Sequence, residues 1–143
     1  MRKEFGNSVL AQKILMKISD PQKNYVINGI RNPAEIQELK NWPGFYLIAV
    51  DAPQQLRFQR LMTRNRPSDP KVFYQFMKVD NKDQGIGEEE CGQQVQQCIK
   101  LADVSIFNEY TLERLTDKVN FMIQQIINKD AVLRDNRTVA QRG

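Results

Sequence analysis

The strongest constraint in this chain is the uninterrupted apolar run Phe45-Tyr46-Leu47-Ile48-Ala49-Val50, bounded by Trp42-Pro43-Gly44 and Asp51-Ala52-Pro53. Strict alternation of apolar and polar residues is absent. That pattern predicts a strand covered on both faces, as the strands of parallel sheets are. Upstream, Tyr25-Val26-Ile27 reads as a short strand broken by Asn28-Gly29. Between the two, Asn32 can cap a helix and Pro33 fits its first turn, so a helix is expected through about Lys40. This strand–helix–strand unit over residues 25–50 predicts a parallel pair joined by a right-handed crossover.

The rest of the chain continues the alternation. Residues 8–18 carry an apolar stripe at Leu10, Ile14 and Ile18, widened by Ala11 and Leu15 and stopped by Asp20-Pro21. Asp51-Ala52-Pro53 opens a helix bearing Leu56, Arg57, Arg60 and Leu61. The segment Asn65-Arg66-Pro67-Ser68-Asp69-Pro70 is a polar hinge, because its two prolines break a helix. A helix from about Lys71 to Asp80 follows, with Val72, Phe73, Phe76 and Val79 as its apolar side. A short helix near 93–100 leads to a third strand, Val104-Ser105-Ile106-Phe107. The last helix, about 111–128, shows a seam at Leu112, Leu115, Val119, Met122 and Ile126, the signature of core packing. The expected class is α/β: a short, mainly parallel sheet of three strands, flanked by helices in three layers. With 143 residues, one domain over 1–128 is expected, and the aperiodic 129–143 reads as a flexible tail or linker.

Composition excludes several chemistries. The chain has no histidine, which removes Ser-His and Cys-His catalysis and His-ligated zinc. Cys91 and Cys98 cannot form a four-thiolate site alone, so no metal site is expected. Sharing a helix, they would lie about 10 Å apart, too far for a disulfide. Reduced thiols, no apolar run of membrane-spanning length and no apolar leader core at Met1-Arg2-Lys3-Glu4 together read as a cytoplasmic protein without a membrane partner.

The charge is local. Arg57, Arg60, Arg64, Arg66 and Lys71, set against Asp69, account for the whole net charge of +4. Guanidinium groups pair bidentately with phosphate, so this cluster points to a polyanion; a solvated basic helix face fits the same spacing. Nucleic acid is disfavoured, since the basic residues form no stripe and no RNP, zinc-finger or KH signature occurs. Ligands of open α/β sheets sit beyond the carboxyl ends of the strands. Those ends are Asn28-Gly29-Ile30-Arg31, Asp51-Ala52-Pro53 and Asn108-Glu109, which would meet the arginine-rich segment as a phosphate site with a mobile basic lid. The Gly85-Ile86-Gly87 turn is no phosphate loop, because Glu88-Glu89-Glu90 would repel the anion.

Val26-Ile27-Asn28-Gly29-Ile30-Arg31-Asn32-Pro33-Ala34-Glu35-Ile36 resembles the "VIDGIR…AE" segment of P-loop nucleotide kinases related to dephospho-coenzyme A kinase and adenylate kinase. Related kinase-like domains also precede deaminase domains. In the same order, Arg57-Phe58-Gln59-Arg60-Leu61 and Arg64-Asn65-Arg66-Pro67-Ser68-Asp69-Pro70 resemble that family's arginine-rich lid. Ala102-Asp103 and Asn108-Glu109-Tyr110-Thr111-Leu112 resemble its "AD…N(D/E)GTLEEL" ending, so the likeness spans about residues 2–127. It implies that Arg60, Arg64 and Arg66 clamp phosphates as a lid closes. It also implies that Arg31 holds the acceptor's phosphate beside Asn28, and that Asp51 or Asn108 orients base or ribose. The structural alternatives are that Arg31 caps a helix or pairs with Glu35, and that Asn108 caps the helix beginning near Thr111.

The departures are as informative. The family's Gly-rich loop ending in Gly-Lys-Ser/Thr, which cradles nucleotide phosphates, occurs nowhere in these 143 residues. ATP and Mg²⁺ are therefore expected only where that loop is supplied elsewhere. Asn28 stands in place of the usual Asp and cannot act as a base or hold Mg²⁺ as a carboxylate does. Tyr110 replaces a usual Gly. In the family the phosphate-loop strand lies between the strands matching 25–28 and 45–50. Without it those strands re-pair directly, or a second copy or partner chain supplies a strand, or the sequence is part of a longer product. The cost of an unpaired buried strand favours the last. Two functions follow as expectations. One is a kinase-like domain, inactive alone, that acts on a nucleoside monophosphate or dephospho-coenzyme A-like acceptor within a longer protein. The other is a non-catalytic nucleotide-sensing or interaction module that regulates a partner such as a deaminase.

Overall fold

The structure, a computed structural model, describes residues 1–20 and 23–140, with side chains through residue 129. In chain order the elements are α1 (Arg2–Phe5), α2 (Val9–Leu15), α3 (Pro33–Lys40), β1 (Ile48–Asp51), α4 (Gln54–Arg64), α5 (Phe73–Gln84), α6 (Val95–Lys100), β2 (Val104–Phe107) and α7 (Leu112–Ala140). The class is α/β, with one small sheet among the described residues. In it β1 and β2 run parallel, with Ile48 opposite Val104 and Asp51 opposite Phe107.

The sheet has two strands where three were expected. Residues 24–30 include Tyr25-Val26-Ile27, but they form no ladder, and Val26 is 98% exposed. A strand needs a neighbour for its backbone N–H and C=O groups. The only strand paired with β1 among the described residues is β2, so this segment has none. The expected crossover over 25–50 is therefore absent, and the parallel pair is made across α4, α5 and α6. β1 also begins at Ile48 rather than Phe45. It is covered on one face, not two: Ala49 is buried while Val50 is exposed. Leu47, just outside the strand, is still fastened. Its carbonyl accepts from the backbone N–H groups of Asp103 and Val104, and its own N–H donates to Asp103 Oδ2 at 2.7 Å.

The start of α3 follows the sequence closely. Asn32 Oδ1 accepts from Ala34 N at 3.0 Å, Pro33 takes the first turn, and Glu35 Oε2 accepts back from Asn32 N. Such a capping box satisfies the free N–H groups of a helix start and contributes about 1 kcal/mol. Glu35 is buried and fully used. Arg2 donates to its Oε1 from Nε at 3.0 Å and Nη2 at 2.6 Å, which joins α1 to α3. Asn32 Nδ2 donates to the carbonyls of Glu90 and Gly92 and so ties in the loop before α6. Beside this polar node Ile36, Leu47 and Cys98 form a core cluster, with Ile30, Phe45, Leu101 and Ala102 against it.

Two helix faces differ from the periodicity. In α2 the buried residues are Val9 and Ala11, while Leu10 is exposed and Ile14 and Leu15 are half-buried. In α7 the seam holds from Leu115 to Ile126 with Met122 buried, but Leu112 is exposed. α7 continues through 129–140, the segment read as a tail; residues 141–143 of that tail, and Pro21 of the first helix stop, lie outside the described residues. No helix among the described residues is long and apolar enough to cross a membrane.

Candidate functional site

The parallel register brings Asp51 and Asn108 together at the carboxyl ends of β1 and β2. Asn108 N donates to Asp51 O at 2.7 Å, and Asp51 Oδ1 accepts from Ala52 N at 2.8 Å. α4 begins three residues later and carries Arg60 to the same place. Its Nη1 donates to Asn108 O at 2.9 Å, and its Nη2 to Asn108 Oδ1 at 3.2 Å and Tyr110 O at 3.3 Å. Three of the residues singled out from sequence, Asp51, Asn108 and Arg60, therefore meet.

Sequence reasoning missed what surrounds them. The Tyr110 ring has Arg114 Cζ 5.0 Å and Lys118 Nζ 5.4 Å from its centroid, and Lys118 Nζ also donates to Phe107 O at 2.8 Å. The signal was present as basic residues four and eight positions after Tyr110, one helical face on the first turns of α7.

The remaining cations of the basic segment have separate employment. Arg57 forks onto Asp80 of α5, Nη1 to Oδ1 at 2.5 Å and Nη2 to Oδ2 at 3.0 Å, and Gln54 Nε2 adds a third bond at 2.9 Å. Asp80 is buried, and the Phe58, Phe73 and Phe76 rings pack 5.3–6.0 Å apart between the same two helices. Arg57 thus fastens α4 to α5. Arg64 lies at the end of α4, where Asn65 turns the chain in the left-handed region at φ 47°. Its Nε and Nη2 fork onto Asp69 at 3.1 and 2.7 Å, and Arg66 N donates to Asp69 Oδ2 at 3.1 Å. The Arg64 guanidinium holds the Asp69 carboxyl below its ordinary range, and Asp69 in turn raises Arg64. Lys71 Nζ closes the loop on Asn65 Oδ1 and Arg66 O at 2.7 and 3.0 Å. The Arg66 side chain is exposed and makes no hydrogen bond or ion pair among the described residues.

The other two expected residues lie apart. Arg31 Nη1 donates to Gln93 Oε1 at 2.7 Å and reaches Asp83 Oδ2 at 3.5 Å. Its pairing with Glu35 is made by its backbone N–H, at 3.0 Å, not by its guanidinium. Asn28 is exposed on the unpaired segment. Neither forms a hydrogen bond or ion pair with Asp51, Asn108 or Arg60 among the described residues. Both cysteines are free thiols, and burial, with Glu35 adding to it, pushes Cys98 up to about 11. An open groove of about 550 Å³ between the N-terminal residues and the 87–92 loop, lined by Arg2, Lys3, Lys82, Glu88, Glu89 and Cys91 among others, contains none of the expected residues.

Among the described residues no three Asp, Glu or Cys side chains gather to hold a metal. The Gly85–Gly87 turn is followed by Glu88, which pairs with Lys82, and Glu89, which pairs with Lys3.

No protein-family model matches the chain. Similar proteins do occur among curated relatives. The chain is 29% identical to a UPF0200 protein of Staphylothermus marinus over 131 residues, covering 92% of this chain and 66% of the relative. It is 29% identical over 134 residues to a UPF0200 protein of Pyrococcus horikoshii, covering 90% and 68%. It is 30% identical over 129 residues to a UPF0200 protein of Sulfurisphaera tokodaii, covering 89% and 67%. The chain spans about two thirds of the length of the curated relatives it matches. The likeness runs through about nine tenths of the sequence, and the chain belongs to the UPF0200 family.

Proposed function

We propose that this chain is a nucleotide- or phosphate-ester-binding domain of the P-loop-kinase type, three-layered when its sheet is complete, and unable to transfer phosphate by itself. The observation that carries the reading is the meeting of Asp51, Asn108 and Arg60 at the carboxyl ends of two parallel strands, with Arg64 at the far end of the same helix and Arg66 two residues beyond it. Phosphoryl transfer rests on positioning and charge stabilisation. In this reading Arg64 and Arg66 contact phosphate oxygens, and Arg31 receives the acceptor's phosphate near Asn28. Arg60 holds the Asn108–Tyr110 turn so that Asn108 and Asp51 face base or ribose. ATP and Mg²⁺ enter only with a phosphate loop supplied outside these 143 residues. Within a longer protein the acceptor class is a nucleoside monophosphate or a dephospho-coenzyme A-like compound.

The test is an ATP-dependent phosphate-transfer assay on the pure 143-residue protein with those acceptors. No transfer is expected. A rate that falls on Arg64→Gln or Arg66→Gln would overturn the proposal.

A second reading is a non-catalytic nucleotide-sensing or protein-interaction module. Among the described residues β1 is paired on one edge only, and Val50 on it is exposed, which favours this reading, since a strand from a partner or a second copy would pair there. Sedimentation that stays monomeric at high concentration, with and without nucleotide, would remove the second-copy form of that reading.

A further inference from the structure

The Asp69 carboxylate sits where an anion would. It receives a forked pair of guanidinium N–H bonds from Arg64 and a backbone N–H from Arg66, with Lys71 anchored alongside on Asn65 and Arg66. Its side chain is 8% exposed although it lies in the hinge, whereas the Arg64 side chain is 47% exposed. The carboxylate is thus the enclosed member and the guanidinium the outer wall. Two fork donors plus a backbone N–H are the donor set that recognises a phosphate group.

We infer that Asp69 is an internal stand-in for phosphate, a latch that occupies the Arg64 fork until a phosphate ester displaces it. The inference rests on the reading of Arg64 and Arg66 as phosphate-binding residues and adds regulation to it. A carboxylate and a phosphate cannot share one fork, since both are anionic and both need the same two N–H groups. Binding therefore swaps one charge-assisted pair for another. The freed Asp69 turns to solvent, and the hinge between α4 and α5 loses one of its closing contacts. The latch keeps Arg64 from holding stray anions and couples ligand arrival to loosening of the hinge.

An exposed ion pair sets the size of the effect. Asp69→Asn keeps the side-chain shape and an acceptor for Arg66 N–H while removing the charge. Calorimetric titration with inorganic pyrophosphate is expected to show affinity raised by up to about fivefold in Asp69→Asn over wild type. That gain should vanish in Asp69→Asn/Arg64→Gln. Equal affinity in wild type and Asp69→Asn, abolished by Arg64→Gln, would overturn the latch and leave the phosphate-site reading intact. No binding by either protein would overturn both. The wild-type chain supplies a readout that needs no variant. On titration with pyrophosphate, the Arg64 Nε–H and Asp69 carboxyl NMR signals should move together along one saturation curve. Movement of Arg64 with Asp69 unchanged would contradict displacement.

Discussion

Arg57 and Arg64 stand seven residues apart on α4, and each forks onto one aspartate, yet the two pairs do different work. Arg57 meets Asp80 across a helix–helix contact, where Gln54 adds a bond and three phenylalanine rings pack alongside. Arg64 meets Asp69 five residues away, across the turn that ends α4, where the carboxylate is as enclosed as Asp80 but the guanidinium is half-exposed. The chemistry is the same and the surroundings are not. A pair whose carboxylate is locked between packed helices has no exchange partner, and losing one member strands the other. A pair with its guanidinium half in water can trade its carboxylate for another anion at little cost. The contrast separates the basic segment into a fastener at its start and a contact surface at its end.

The largest effect should come from the packing beneath the fastener. Phe76→Ala removes a buried ring that touches both Phe58 and Phe73, and a loss of about 3–4 kcal/mol is expected in urea unfolding. A loss under about 1 kcal/mol would mean that α4 and α5 are not joined by this cluster. Next is Asp80→Ala, which leaves the Arg57 fork without its acceptor. About 2 kcal/mol is expected, below the full cost for a buried pair because the Arg57 side chain is 30% exposed. Asn32→Ala, remote from both pairs, removes the α3 cap and the Nδ2 bonds to the Glu90 and Gly92 carbonyls and should cost about 1–2 kcal/mol. A loss from Asp80→Ala as small as that from Asp69→Asn would blunt the contrast.

Asp69→Asn should change stability least, and its signature is pH dependence. The Asp69 carboxyl is held below its ordinary value when folded, so its pair stabilises the fold above that ordinary value. The contribution is lost as pH falls through the lowered one. The stability difference between wild type and Asp69→Asn should therefore be level near neutral pH and shrink in acid. A difference that grows on acidification would contradict the assignment.

Much of this was legible from residues. Asn32-Pro33-Ala34-Glu35 announced a capped helix because capping is local: its bonds span three positions. β2 was found at its own boundaries because both ends carry clear polar breaks. The Tyr25–Ile27 strand was not, since a strand is defined by its neighbour, and hydropathy cannot say whether a neighbour exists. The Phe45–Val50 run was read as covered on both faces, yet Val50 faces outward for the same reason. Within the site, Asp51, Asn108 and Arg60 were legible because parallel strands align their carboxyl ends. Which arginine takes which aspartate was not legible. Asp80 reaches Arg57 only through the packing of α4 on α5, and spacing in the hinge does not say which neighbouring cation Asp69 takes.

The most direct test of the central claim is calorimetric titration of the 143-residue protein with a panel of nucleoside mono- and triphosphates, repeated on Arg64→Gln. The account predicts binding of at least one member of the panel by wild type and its marked weakening in the variant. Binding unchanged by Arg64→Gln, or no binding of any member by wild type, would contradict it.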